Sequence, residues 1–85
     1  MTKSIQEIRE ELTLVLLYLN RFSERLPGYM EEAILRSWKG YRFDNLNHLE
    51  ELGLIHQTHR SKSITFTQEG LERARELLAE LGIED

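Results

Sequence analysis

The stretch "RSWKGYRFDNLNHLEELGLIHQTHRSKSITFTQEG", Arg36 to Gly70, decides the fold, because its hydrophobic period changes at Gly53. Before the glycine, Leu46, Leu49 and Leu52 recur on one helical face, with Phe43 just ahead of them. That spacing predicts a helix from about Asp44 to Leu52, capped by Asp44 and turned towards the core along its leucines. Gly53 is placed to end it where left-handed backbone is needed. After the glycine, "LIHQTH" and "SITFT" alternate instead. Ile55, Gln57 and His59 fall on one side of the first run, Ile64 and Phe66 on one side of the second. With the polar link "RSK" between them, the two runs predict a β-hairpin with a basic tip. Thr67 then caps a helix to about Leu81, carried by Leu71, Ala74, Leu78 and Leu81 and ended by Gly82.

Upstream, Ser4 and Glu7 form a capping-box signature. Ile5, Ile8, Leu12, Val15, Leu19 and Phe22 follow at alternating spacings of three and four, predicting a helix from about Ser4 to Glu24 whose core face is that stripe. Leu26-Pro27-Gly28 stops it. Met30, Ala33, Ile34 and Trp38 predict a short helix from about Met30 to Ser37, broken by Gly40. Trp38, Tyr41 and Phe43 are expected to anchor that helix to the next one in the core, with Tyr41 nearest the surface. The resulting order is helix, helix, helix, strand, wing, strand, helix. It is an α+β, mainly α fold of the winged helix-turn-helix kind, in a single domain over residues 1–85.

Eighty-five residues hold one core and not two, and a domain of that size is marginally stable alone. The absence of cysteine excludes a disulfide framework and thiolate metal sites and fits a reducing, cytoplasmic setting. The polar stretch Met1 to Glu11 lacks the pattern of a secretory leader. The longest apolar run, "LVLLYL" from Leu14 to Leu19, is far short of the ~20 residues that cross a bilayer, so no membrane partner is expected.

The net charge of −4 opposes nonspecific affinity for phosphate, but it is unevenly spread. Residues 1–33 carry four basic and six acidic side chains, and residues 67–85 two and six. Residues 34–66 carry five basic side chains (Arg36, Lys39, Arg42, Arg60, Lys62), three acidic ones and all three histidines, which makes this the one positive third.

The segment "LEELGLI…SITFTQEG" resembles the end of many bacterial winged-helix regulators, in which a leucine-glycine turn follows the third helix and "T-x-E-G" opens the last. More closely, Trp38, Lys39, Gly40, Tyr41, Phe43 and Asp44 reproduce a Trp-Lys-Gly-Tyr-x-Phe-Asp core. With "ELTLVLLYL" before it and "KSITFTQEG" after, the chain is similar over nearly its whole length to a family of small prokaryotic proteins, a domain of unknown function of the 6429 type. That resemblance implies no biochemistry; the winged-helix pattern implies DNA binding by a small regulator.

In a helix-turn-helix the second helix of the motif lies in the major groove, here Asp44 to Leu52. With Leu46 and Leu49 inward, Asn47, His48 and Glu51 face out, and Asn47 suits adenine. Arg36, Lys39 and Arg42 precede the helix and are expected to clamp the backbone, while His59, Arg60 and Lys62 at the wing tip are expected to reach the minor groove. Asp44 and Glu51 oppose phosphates, which keeps a protein-interaction module open as the alternative. His56 and His59 point to opposite faces of a strand and do not share a metal. No catalytic motif is present, the paired glutamates are neighbours on helices, and neither an enzyme nor a cofactor is expected. Leu14, Leu17 and Tyr18 lie off the predicted core stripe, and such a second apolar face predicts a homodimer through the first helix, joined by the last; the alternative is that the short second helix and the last helix cover both faces within one chain.

Overall fold

Seven elements follow one another in the chain: α1 (Ile5–Leu19), β1 (Phe22–Glu24), β2 (Ile34–Trp38), α2 (Phe43–Glu51), β3 (Ile55–Gln57), β4 (Ser63–Phe66) and α3 (Gln68–Glu80). The structure is a computed structural model, and it describes residues 2–24, 34–58 and 60–83, without the side chains of Ser23, Glu24 and Ile34. The fold is α+β. The strands form one antiparallel sheet in the order β1-β2-β4-β3.

The second half follows the expected pattern. Gly53 ends α2 at φ +77°, and Gly82 follows α3 at φ +75°. The hairpin β3–β4 pairs Ile55 with Phe66 and Gln57 with Ile64, so the apolar residues of both strands share one face. Thr67 caps α3, its Oγ1 accepting from the Gly70 amide at 3.0 Å. At the other end of the chain, the Glu7 amide donates to Ser4 Oγ at 3.1 Å, the cap expected for α1. The start of α2 differs: its N-cap is Arg42, with no side-chain hydrogen bond, and Asp44 lies in the first turn.

The region between α1 and α2 departs from expectation. α1 stops at Leu19, where the Asn20 amide and its Nδ2 both donate to the Leu16 carbonyl at 3.0 and 2.9 Å. Phe22–Glu24 is a strand and not a last helical turn. Ile34–Trp38, expected in a helix, is the strand β2; the rest of that expected helix, Met30 to Ala33, and the stop at Leu26-Pro27-Gly28 lie outside the described residues. In β2 the side chains alternate, with Ser37 buried on the helix side of the sheet and Trp38 62% exposed on the other. A buried serine and an exposed tryptophan invert the usual polarity signal, which hides the two-residue period.

All three helices pack on one face of the sheet, with α1 meeting β2, α2 meeting β3 and α3 meeting β4. Leu14, Leu17 and Tyr18 of α1, Leu46 and Leu49 of α2, Ile55, Ile64 and Phe66 of the hairpin, and Ala74, Leu77 and Leu78 of α3 form the core. This reverses the expected orientation of α1. Leu14, Leu17 and Tyr18, expected at a dimer interface, are fully buried within one chain, whereas Ile5, Ile8, Leu12 and Leu19 of the expected core stripe are exposed and only Val15 is buried. The expected aromatic anchor is reversed too. Trp38 and Phe43 (73% exposed) stand at the surface, while Tyr41 packs against the core. Leu52 and Leu81 also turn outward.

The polar residues of α2 explain the orientation of α1. Asn45 is buried, and its Nδ2 donates to Thr13 Oγ1 at 3.2 Å while its Oδ1 accepts from Gln6 Nε2 at 3.1 Å. Gln6 also donates to Glu10 at 3.0 Å, and Glu10 meets His48 Nδ1. Buried polar groups require partners, and Glu10 and Thr13 share a helical face with Leu14 and Leu17. Turning the other apolar stripe inward would leave Asn45 unpaired, at a cost of about 1–3 kcal/mol.

Candidate nucleic-acid interface

Lys39 follows β2, and its amide donates to the Lys62 carbonyl at 2.8 Å, which continues the β2–β4 ladder by one pair. Directly paired residues of an antiparallel ladder share a face. The register therefore sets Lys39 and Lys62 on the helix side of the sheet, two positions on from the Ser37–Ile64 pair. Lys39 Nζ donates to the Thr58 carbonyl at 2.8 Å, which holds the stem of the hairpin against the turn before α2. Between that stem and α2 runs a shallow groove of about 250 Å³, lined by Lys39, Phe43, Asn47, Glu50, Gln57 and Thr58.

Asn47 is exposed on the groove side of α2, as expected, and its Oδ1 accepts from Gln57 Nε2 at 3.2 Å. Glu50 fastens α2 to β3, accepting from the Gln57 amide at 2.7 Å. Gln57, Thr58 and Glu50 are groove residues that sequence reasoning did not single out. Only the pairing of α2 with β3 brings residues seven positions apart, across the Gly53 turn, into contact.

The expected basic residues do not gather into one clamp. Arg36 pairs with Thr65 and, being one residue from Ser37, lies on the opposite face of the sheet from Lys39. There its guanidinium donates to Ser63 Oγ and Ser61 Oγ, both at 2.9 Å. Arg42 lies 3.5 Å from Asp44 at the start of α2. His48, expected to face a base or phosphate, turns to Glu10 on α1. Arg60 and Lys62 are exposed on the hairpin, and His59 lies outside the described residues. Of the expected contacts, Lys39 lines one groove with Asn47 and shares a sheet face with Lys62.

All three helices carry acids: Glu7, Glu10 and Glu11 on α1, Asp44, Glu50 and Glu51 on α2, and Glu69, Glu72, Glu76 and Glu80 on α3, whereas the hairpin carries Arg60 and Lys62 and no acid. On the other face of the sheet, Trp38 stacks on Phe22 with ring centroids 4.9 Å apart, beside Arg36. No helix among the described residues is long and apolar enough to cross a membrane.

A family profile described as "Domain of unknown function (DUF6429)" matches residues 5–84, a span that includes the whole Trp38–Asp44 motif. An uncharacterized protein of Sinorhizobium fredii, y4hR, is 34% identical over 73 residues, which cover 85% of this chain and 85% of that protein. No solved structure matches the chain.

Proposed function

We propose that this chain, which belongs to the family described as a domain of unknown function (DUF6429), binds double-stranded DNA with α2 as groove helix and the β3–β4 hairpin as wing. This keeps the recognition half of a winged helix, with the strand β2 in place of the Ile34 to Ser37 part of the expected short helix. The observation that carries the reading is the juxtaposition of the exposed Asn47 with Lys39 in one groove, and of Lys39 with the wing lysine Lys62 on one sheet face. Asn47 offers an amide for an adenine edge, and the lysines offer charge to phosphates. The glutamates of α1 and α3 belong to the helices that pack on each other, so the overall charge of −4 understates the positive character of the hairpin. The groove helix itself repels phosphate through Asp44, Glu50 and Glu51, and most of the affinity therefore comes from the wing.

Fluorescence anisotropy of labelled duplexes across salt tests this. Duplex should bind more tightly than ~100 µM at low salt, the weak end of ordinary nonspecific affinity. Lys62→Ala and Arg60→Ala should each weaken every sequence alike and lower the salt slope by roughly one contact. Asn47→Ala should cost about 1–3 kcal/mol on a selected site alone. Glu51→Gln should tighten nonspecific binding. Absence of any duplex binding would end the DNA reading. It would leave α2 as a protein-docking helix, which the exposed Phe43, next to Asp44 and in one groove with Glu50, favours.

A further inference from the structure

The outward side of α1 takes no part in the core or in the proposed DNA surface. Ile5, Ile8, Leu12, Leu16 and Leu19 follow one another at spacings of three, four, four and three, and each is between 42% and 69% exposed. At 3.6 residues per turn these spacings make one straight stripe. Leu81, just past α3, stands across a shallow groove between α1 and α3 whose lining also holds Ile8, Leu12, Val15 and Leu77 with Lys3, Glu11 and Glu80. Charged side chains frame the stripe without interrupting it. Lys3 bridges Glu11 at 2.9 Å, and Arg73 approaches Glu11 at 3.6 Å.

We propose that this stripe is the interface of a homodimer, with α1 of one copy packed along α1 of a second across a two-fold axis. Area is the first support. The five stripe residues and Leu81 expose on the order of 500 Å² of apolar surface, towards the upper end of the largest patch on ordinary monomers. Covered on two copies, that is on the order of 1,000 Å², the size at which a specific interface begins. Self-complementarity is the second. A two-fold contact needs a patch that fits itself, and an uncharged stripe at three- and four-residue spacing does so, because its ridges pack into the grooves of an identical helix at a shallow angle. The small domain gains from its copy the burial that a single core of its size does not supply. The inference stands apart from the DNA reading, since the two surfaces share no residue.

Sedimentation equilibrium of the full chain between ~1 and ~100 µM should give the mass of a dimer at the upper end, and Leu12→Glu should weaken association at least about thirtyfold, the scale of an interface hot spot. The chain has no cysteine, so single replacements report on proximity independently of any effect on folding. Leu12→Cys, at the middle of the stripe and therefore opposite its own copy across the two-fold, should form a disulfide-linked dimer on mild oxidation, while Lys62→Cys on the hairpin should not. A wild-type chain that is monomeric throughout the range would overturn the proposal. So would a dimer in which Leu12→Cys fails to cross-link, because the contact would then lie elsewhere.

Discussion

α1 and α3 lie against each other, each is opened by a hydroxyl cap, and each sends leucines into the same core, yet they differ in what they leave outside. α3 buries Gly70, Ala74, Leu77 and Leu78 and turns Glu69, Glu72 and Glu76 to solvent. α1 buries Leu14, Val15, Leu17 and Tyr18 and still exposes five large aliphatic side chains. An amphipathic helix with one apolar face has one possible orientation. A helix with two has its orientation chosen by its neighbours, and the face left over remains available to a further partner.

The comparison is broken most severely at the buried face of α1. Leu17→Ala should lower the unfolding free energy by about 2–5 kcal/mol in a denaturant titration, since its side chain is wholly enclosed. A cost under ~1 kcal/mol would show that this face is not the one facing the core. The next largest effect tests the close approach that distinguishes α3. A Cβ built on Gly70 would stand 1.8 Å from the Leu54 carbonyl oxygen, so the first turn of α3 must move to accept it. Gly70→Ala should therefore destabilise by about 1–3 kcal/mol, the usual cost of overpacking, although alanine is the better helix former. The smallest effect belongs to the outward stripe. Leu16→Gln should change the stability of dilute chain by less than ~0.5 kcal/mol, as surface substitutions do, while making that stability independent of protein concentration in the range where the wild type depends on it.

Much of the second half was legible from its residues. The change of period at Gly53, the positive φ of that glycine, the Thr67 cap and the shared face of Ile64 and Phe66 all follow from local chemistry, and all are present in the fold. Gly70 was visible as the end of "T-Q-E-G", but its reason, the Leu54 backbone beneath it, was not. Phe22–Glu24 and Ile34–Trp38 are strands where helix is expected, because their cues conflict. Ser37 is buried and polar, Trp38 is apolar and exposed, and Ile34 to Trp38 fits a helical spacing as well as a strand. Strand pairing with residues 22–24 and 63–65 settles it, and pairing at that distance leaves no periodicity in the segment itself.

The candidate site divides the same way. Asn47 on the outer side of α2, and the exposed Lys62 and Arg60 on the hairpin, follow from the position of each residue in a regular element. The separation of Arg36 from Lys39 to opposite faces follows only from β2 being a strand, since three residues on a helix would share a face and three along a strand do not. Local patterning thus determined which segments are helices and hairpins wherever the pattern had a single solution, because caps, left-handed glycines and apolar period act within a few residues. It also determined that α1 carries two apolar faces. Which face went inward was decided by the tertiary structure, through Asn45 and His48 of α2. Their polar groups required Thr13, Gln6 and Glu10 as partners, and those partners brought Leu14 and Leu17 into the core with them.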